Sequence, residues 1–170
     1  MDPFVRRFVR SSLVWLGIGV LIGVSMAFWP AAALVYRPAH AHANLLGFVS
    51  MMIFGVAYHV IPRFAGTPLH SRRLAALHVW VANAGLALLV GGWILRASLP
   101  GAGMAVLRAG AAVSAVGAGL FVYNLWRTLD ASATAAAGWR PAAQAQGPVR
   151  KGSAPGALQP RSEGLKDPVQ

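Results

Sequence analysis

Four long apolar runs constrain the fold of this chain most strongly. Each is about 20 residues long, enough for an α-helix to cross the hydrocarbon core of a bilayer, and none contains Asp, Glu or Lys. The runs cover residues 12–36, 40–61, 74–95 and 104–125. Of all residues, 56% are apolar and 11% charged, less than half the charged share of an ordinary soluble domain. We predict an all-α membrane protein, a four-helix transmembrane bundle.

Composition excludes several kinds of site. The chain has no cysteine, which rules out disulfides, thiolate zinc sites and Cys-ligated iron–sulfur clusters. Fifteen Lys and Arg against four Asp and Glu give a net charge of +11. The basic residues flank the apolar runs and form no continuous stripe, so we expect the lipid bilayer, and no nucleic acid, as a partner.

Arginines are unevenly shared between the two ends of the predicted bundle. Seven lie on the side of the N-terminus, against three on the other side: Arg6, Arg7, Arg10, Arg63, Arg72, Arg73 and Arg127 against Arg37, Arg96 and Arg108. Because short cytoplasmic flanks are enriched in Lys and Arg, we predict both termini in the cytoplasm. The first run could instead be a signal peptide, but it is too long for one and the second follows at once, which favours an uncleaved anchor.

The last part of the chain differs in composition from the spans. Residues 130–170 are rich in Ala, Pro, Gly and Gln and show no apolar periodicity. Such a segment cannot bury a core. We therefore predict a transmembrane domain over residues 1–129, followed by a disordered cytoplasmic tail.

Small residues recur at helical spacing within the spans. Gly19 and Gly23 form a small-xxx-small pair in the first span. Two later stripes have a spacing of seven, His78, Gly85 and Gly92 in the third span and Gly103, Gly110, Gly117 and Asn124 in the fourth. Small residues let helix backbones approach closely in lipid, so each stripe predicts a helix–helix contact.

All five histidines fall in residues 40–78, on the second and third spans and the loop between them. An ionisable residue inside a membrane is a functional hypothesis by default, and neutral imidazole is the usual ligand of b-type haem iron. The alternative is a histidine that only bonds a neighbouring helix. Several histidines on adjacent helices favour a cofactor.

Helical periodicity separates His40 from His42. At about 100° per residue, His40 shares a polar and small-residue face with its neighbours Gly47, Met51, Tyr58, Asn44, Gly55 and His59. His42 instead aligns with an aliphatic row that we expect to face lipid: Val49, Ile53, Val56 and Val60. His40 is therefore the better interior ligand, and we expect His42 to be a solvated residue of the membrane surface or one that supports a ligand without binding the metal itself.

Depth separates the other histidines. His59 lies about 28 Å from His40 along a helix, so one metal cannot bind both. His59 and His78 lie near the same end of antiparallel spans and could supply both axial ligands of one haem. His40 would need its second ligand from another chain or from a group other than histidine. His70 lies in the basic loop, where we expect it to be solvated.

Residues 37–63 read RPAHAHANLLGFVSMMIFGVAYHVIPR. This stretch resembles the second transmembrane helix of the haem–copper oxidase catalytic subunit, especially in C-type oxidases and nitric oxide reductases. In that family the helix opens with R-P-x-H or H-x-N, closes with a Tyr and a basic or Pro-containing end, and carries a low-spin haem b ligand. His40 matches the first form, His42 the second, and Tyr58 the closing Tyr. A weaker likeness is to haem-carrying membrane proteins of the nitric oxide response.

The chain also departs from that family. The catalytic subunit has many more than four helices, and its second haem ligand and copper-binding histidines lie on later helices with no counterpart here. The spans also lack a carboxylate that could relay protons. We therefore expect a chain that is not catalytic alone and has no catalytic residue of its own.

These observations give a first functional hypothesis, a small haem-b-binding subunit that passes electrons within a respiratory or denitrifying complex of the bacterial inner membrane. The iron-ligand candidates are His40, His59 and His78. The wider cofactor-binding set adds His42, Tyr58, Gly47 and Gly55. Partners would be other subunits of that complex or a second copy of the chain. The alternative is a cofactor-free accessory or scaffold subunit, and a third hypothesis is a haem-based nitric oxide sensor or carrier with an open axial position.

Overall fold

The computed structural model describes residues 1–138, which form helices joined by short connections. The elements are α1 (Pro3–Phe28), α2 (Pro30–His42), a π-helical segment (Ala43–Ser50), α3 (Met51–Phe64), α4 (Arg72–Leu95) and α5 (Pro100–Gly138). In this part of the chain there is no strand, and four helices are long and apolar enough to cross a membrane: Pro3–Phe28, Ala33–Phe64, Arg72–Leu95 and Pro100–Ala135. The predicted all-α membrane fold is confirmed.

The first two spans divide at a different place from the one predicted. The first helix starts at Pro3 and ends at Phe28, and Trp29 leaves helical geometry with φ −126° and ψ 81°. Pro30 then begins α2, because proline lacks the N–H that would continue a preceding helix and suits a first helical position. Residues 30–36 thus belong to the second membrane helix, not to the first.

The fourth membrane helix continues past its predicted end. Helix α5 reaches Gly138, so residues 130–138, assigned to the tail from composition, are helical. The rest of the predicted tail, residues 139–170, lies outside the described residues.

A π-helical segment joins α2 to α3 without a break in the helix. Hydrogen bonds in such a segment run from i to i+5, and the Ser50 hydroxyl also donates to the Leu45 carbonyl at 2.9 Å. The wider turn changes the helical phase after His42. Val49 and Ile53 are exposed as expected, but His42 is half-buried and lies near Trp93 of α4, with 6.4 Å between ring centroids. His42 is thus more covered than Val49 and Ile53.

Helices α4 and α5 pack with their backbones in close contact. A Cβ built on Gly85 would lie 2.6 Å from the Ser114 hydroxyl oxygen and 2.7 Å from its backbone nitrogen, and one on Gly110 would lie 2.6 Å from the Leu89 nitrogen. No side chain fits in these gaps. The glycine stripes of the third and fourth spans thus form the predicted contact.

The loop between α3 and α4 is hydrogen-bonded to the later part of α5. The Asn124 side chain accepts from the Ser71 N–H and donates to the Ser71 carbonyl, both at 2.9 Å. The Thr128 hydroxyl accepts from the His70 N–H at 3.0 Å. Ser71 also caps α4 by accepting from the Leu74 N–H at 3.2 Å. Buried Asn124 and Thr128 therefore fix the loop against the bundle.

Candidate functional site

His40 lies against α1 with one ring nitrogen bonded to backbone. Its Nδ1 is 2.8 Å from the Gly19 carbonyl oxygen, and because a carbonyl only accepts, Nδ1 carries the proton. The basic nitrogen of the neutral ring is then Nε2. The Asn44 amide donates to the His40 carbonyl at 2.9 Å and lies 3.4 Å from Nε2. Metal-binding histidines commonly donate their second ring N–H to a carbonyl in this way, so His40 has the donor chemistry of an iron ligand.

Glycines in α1 make room for these side chains. A Cβ on Gly23 would lie 2.9 Å from His40 Cε1, and one on Gly19 would lie 2.6 Å from the Asn44 amide. The small-xxx-small pair of α1 thus leaves space that polar side chains of the second membrane helix occupy.

Gly47 and Gly55 are likewise points of close approach to α1. A Cβ on Gly47 would lie 2.5 Å from Trp15 Cβ, and one on Gly55 would lie 3.0 Å from Phe8 Cβ. Trp15 is in turn anchored to α4, since its indole N–H donates to Asn83 Oδ1 at 3.1 Å. In this structure helix α1, rather than open space, faces both glycines.

His42 is oriented by its own helix. Its Nδ1 lies 2.7 Å from the Pro38 carbonyl oxygen, so this ring also donates through Nδ1. The Arg96 guanidinium lies over the neighbouring Trp93 ring, 5.3 Å from the ring centroid. His42 is therefore a second imidazole whose Nδ1 is fixed by a carbonyl, on the α4 side of the helix.

His78 is fully buried in an aromatic cluster. Phe8, Phe54 and Phe121 surround the ring at centroid distances of 4.9, 4.8 and 5.8 Å. The Tyr58 hydroxyl and His78 Nδ1 are hydrogen-bonded at 3.2 Å, while Nε2 has no partner among the described residues. The cavity beside the ring measures about 60 Å³, whereas pockets for cofactor-sized ligands measure roughly 300–1,000 Å³. A porphyrin therefore does not fit there without helix movement.

The remaining two histidines lie apart from the others. The Arg63 guanidinium donates to His59 Nδ1 at 3.0 Å and also contacts the His59 carbonyl. The structure thus brings Tyr58, rather than His59, to His78. His70 is exposed, with its ring 5.8 Å from that of Tyr123. In the described part of the chain, no three His, Cys, Asp or Glu side chains cluster as a metal site.

Sequence reasoning missed the groups that orient these histidines. The Gly19 carbonyl carries no signal of its own, although the Gly19–Gly23 spacing predicted that something comes close there. The contact between Tyr58 and His78 joins residues 20 positions apart. Periodicity places Tyr58 on the interior face but does not name its partner.

Comparisons with known proteins relate this chain to cytochrome c oxidase subunits. No family model matches the chain. The chain is 30% identical over 162 residues to the Cbb3-type cytochrome c oxidase subunit CcoN1 of Stutzerimonas stutzeri, with 77% of this chain and 34% of that subunit covered. It is 30% identical over 92 residues to cytochrome c oxidase subunit 1 of Rhodobacter capsulatus, with 51% of this chain and 17% of that protein covered.

A third match is the cytochrome c oxidase subunit 1 homolog of Agrobacterium tumefaciens, 29% identical over 90 residues, with 50% of this chain and 16% of that protein covered. The chain thus spans about a third of the Stutzerimonas subunit and less of the other two. All three matches are to the same subunit, and the four membrane-length helices agree with a membrane-embedded relative. The chain is a relative of haem–copper oxidase subunit I.

Proposed function

We propose that this chain is a small haem-b-binding membrane subunit that passes electrons within a bacterial respiratory or denitrifying complex. The observation that carries the proposal is the His40 imidazole, which donates from Nδ1 to the Gly19 carbonyl. The residue lies in the R-P-x-H sequence of a chain related to oxidase subunit I. Its basic nitrogen, Nε2, is the atom that would bind iron.

Each residue near His40 has a defined part in this proposal. The Gly19 carbonyl holds the ring at one tautomer and one orientation. Gly23 leaves space for the imidazole beside α1. Asn44 lies next to Nε2 and must turn aside for a ligand. Haem b would supply a reversible one-electron carrier, whose potential depends on its axial ligands and burial. A second iron ligand would come from a partner subunit or a second copy of the chain.

The other histidines receive less support as iron ligands. His42 has the same Nδ1-to-carbonyl arrangement and is the second candidate. His59 bonds Arg63 at the end of its helix. His78 is enclosed by aromatic rings beside a small cavity. A haem bound between His59 and His78 would require the Arg63–His59 hydrogen bond to break and the aromatic rings around His78 to move apart.

Visible spectroscopy of the detergent-purified protein tests the proposal. A dithionite-reduced minus oxidised spectrum with a pyridine haemochrome assay should show stoichiometric b-type haem. We expect His40→Ala to lose most of the haem and exposed His70→Ala to retain it, with His42→Ala as the comparison for the second candidate. Equal haem content in all three variants would contradict the ligand assignment. A band shift on adding carbon monoxide would instead indicate an open axial position.

A cofactor-free accessory subunit is the second candidate function. It is favoured because side chains of the chain itself occupy the space beside two of its glycines. Trp15 lies against Gly47, and His40 lies against Gly23. Under this function the purified protein carries no haem, folds normally and co-purifies with larger subunits at fixed stoichiometry. The same spectrum therefore distinguishes the two functions.

A further inference from the structure

One end of the bundle contains a cavity with a basic lining. It measures about 310 Å³ and lies between the start of α1, the end of α3 and the start of α4. Arg63, Arg72, Thr67 and the Tyr58 ring line it, together with Asp2. Asp2 forms an ion pair with Arg72. Arginine donors thus outnumber the single acidic acceptor of the lining.

The surroundings of this cavity are also basic. The Phe4 and Tyr58 rings pack edge to face at 5.8 Å, which places the start of α1 beside the end of α3. The bonds of the loop to Thr128 bring the later part of α5 to the same end. The segments at this end carry six arginines, of which Arg63 and Arg72 line the cavity and Arg7 lies over the Trp80 ring. Asp2 and Asp130 are the acidic residues of the described part, and the arginines are these: Arg6, Arg7, Arg63, Arg72, Arg73 and Arg127.

We propose that this cavity binds the phosphate headgroup of an anionic phospholipid. The guanidinium group presents several N–H donors in a plane that matches phosphate oxygens. Basic pockets between membrane helices are suited to anionic headgroups. Arg63 is already held by His59, so less side-chain freedom is lost when a ligand binds.

The position of the cavity favours a lipid over other anions. It lies where the apolar parts of α1, α3 and α4 end, at the level that headgroups occupy. Phe64 follows Arg63 and is 88% exposed, so an apolar ring faces outward next to the cavity. A headgroup bound by Arg63 and Arg72 could extend its acyl chains along the exposed apolar helices. The proposal is independent of haem binding.

Native mass spectrometry of the detergent-solubilised full chain tests it. The probes are dioleoyl phosphatidylglycerol, which is anionic, and dioleoyl phosphatidylcholine, which is not. Because each arginine near such a headgroup contributes about fivefold in affinity, Arg63→Gln with Arg72→Gln should reduce phosphatidylglycerol retention by roughly tenfold or more. The matched control, Arg37→Gln with Arg108→Gln at the opposite end, should leave it unchanged. Equal loss in both double variants would overturn the proposal.

Two further variants separate recognition from folding. Asp2→Asn removes the acidic group of the lining and should raise phosphatidylglycerol retention, which a merely structural role for Asp2 does not predict. Arg63→Lys with Arg72→Lys keeps the charge and should retain most of the binding. If millimolar inorganic phosphate displaced the lipid, the site would be one for free phosphate and the lipid proposal would be wrong.

Discussion

The histidines of the bundle differ in how their ring nitrogens are hydrogen-bonded. His40 and His42 each donate from Nδ1 to a backbone carbonyl. His78 bonds a tyrosine hydroxyl through Nδ1 and leaves Nε2 without a partner among the described residues. An unpaired polar atom in a membrane interior is costly. Residue type alone therefore does not say which histidine is a ligand and which is structural.

The Tyr58 hydroxyl should stabilise the bundle through His78. We expect Tyr58→Phe to lower the free energy of unfolding by about 1 kcal/mol, because it removes a buried interhelical hydrogen bond of the kind that contributes about 0.6–1.7 kcal/mol in membranes. Tyr123→Phe is the matched control, since Tyr123 is 52% exposed. Reversible unfolding in mixed micelles measures both, and equal stability of the two variants would show that the hydrogen bond contributes nothing.

At the scale of the helices, close backbone approach organises the bundle. The α4 and α5 glycines face one another's backbones, whereas the α1 glycines receive side chains from the second membrane helix. The same small-residue spacing thus serves two purposes. Spacing predicted both contacts, but the identity of the group that enters each gap depends on helix rotation.

Gly85 and Gly91 allow a matched test on one helix. We expect Gly85→Ala to destabilise the protein by about 1–3 kcal/mol, because its Cβ would meet the Ser114 backbone and force α4 and α5 apart. A Cβ on Gly91 meets nothing within 4 Å, so Gly91→Ala should be neutral or stabilising by up to about 1 kcal/mol. Thermal unfolding in nanodiscs measures the difference. A loss of stability in Gly91→Ala that equals the loss in Gly85→Ala would contradict this packing.

The π-helical segment shows where helical periodicity stops being reliable. A constant 100° per residue orders His40, Gly47 and Tyr58 well enough to place Gly47 and Tyr58 in the interior, and both are buried. It does not anticipate that the His42 ring lies near Trp93. The segment Ala43–Ser50 has no sequence signature that we identified.

For the whole molecule, the alternation of four spans brings the basic flanks to one end. The loop before α4 bonds the later part of α5, and the start of α1 packs beside the end of α3. Orientation in the membrane remains a prediction from the arginine distribution, which favours cytoplasmic termini.

Cysteine labelling tests that orientation, and the chain has no cysteine to interfere. His70→Cys lies in the basic loop and Ser98→Cys in the loop between α4 and α5, and both positions are exposed. In right-side-out vesicles, we expect a membrane-impermeant maleimide to label position 98 and spare position 70. Inverted vesicles should give the reverse, and labelling of position 70 from outside would reverse the proposed topology.

The sequence by itself determined the helical class, the four spans, the glycine contacts and the likeness to oxidase subunit I. These follow from local properties: apolar length measured against a bilayer, spacing along one helix, and a short motif. The tertiary structure alone decided that Gly19 orients His40, that Tyr58 rather than His59 meets His78, and that Trp93 lies beside His42. These contacts depend on how far each helix is rotated and shifted against its neighbours. Packing across the whole bundle sets that rotation, and no single segment encodes it.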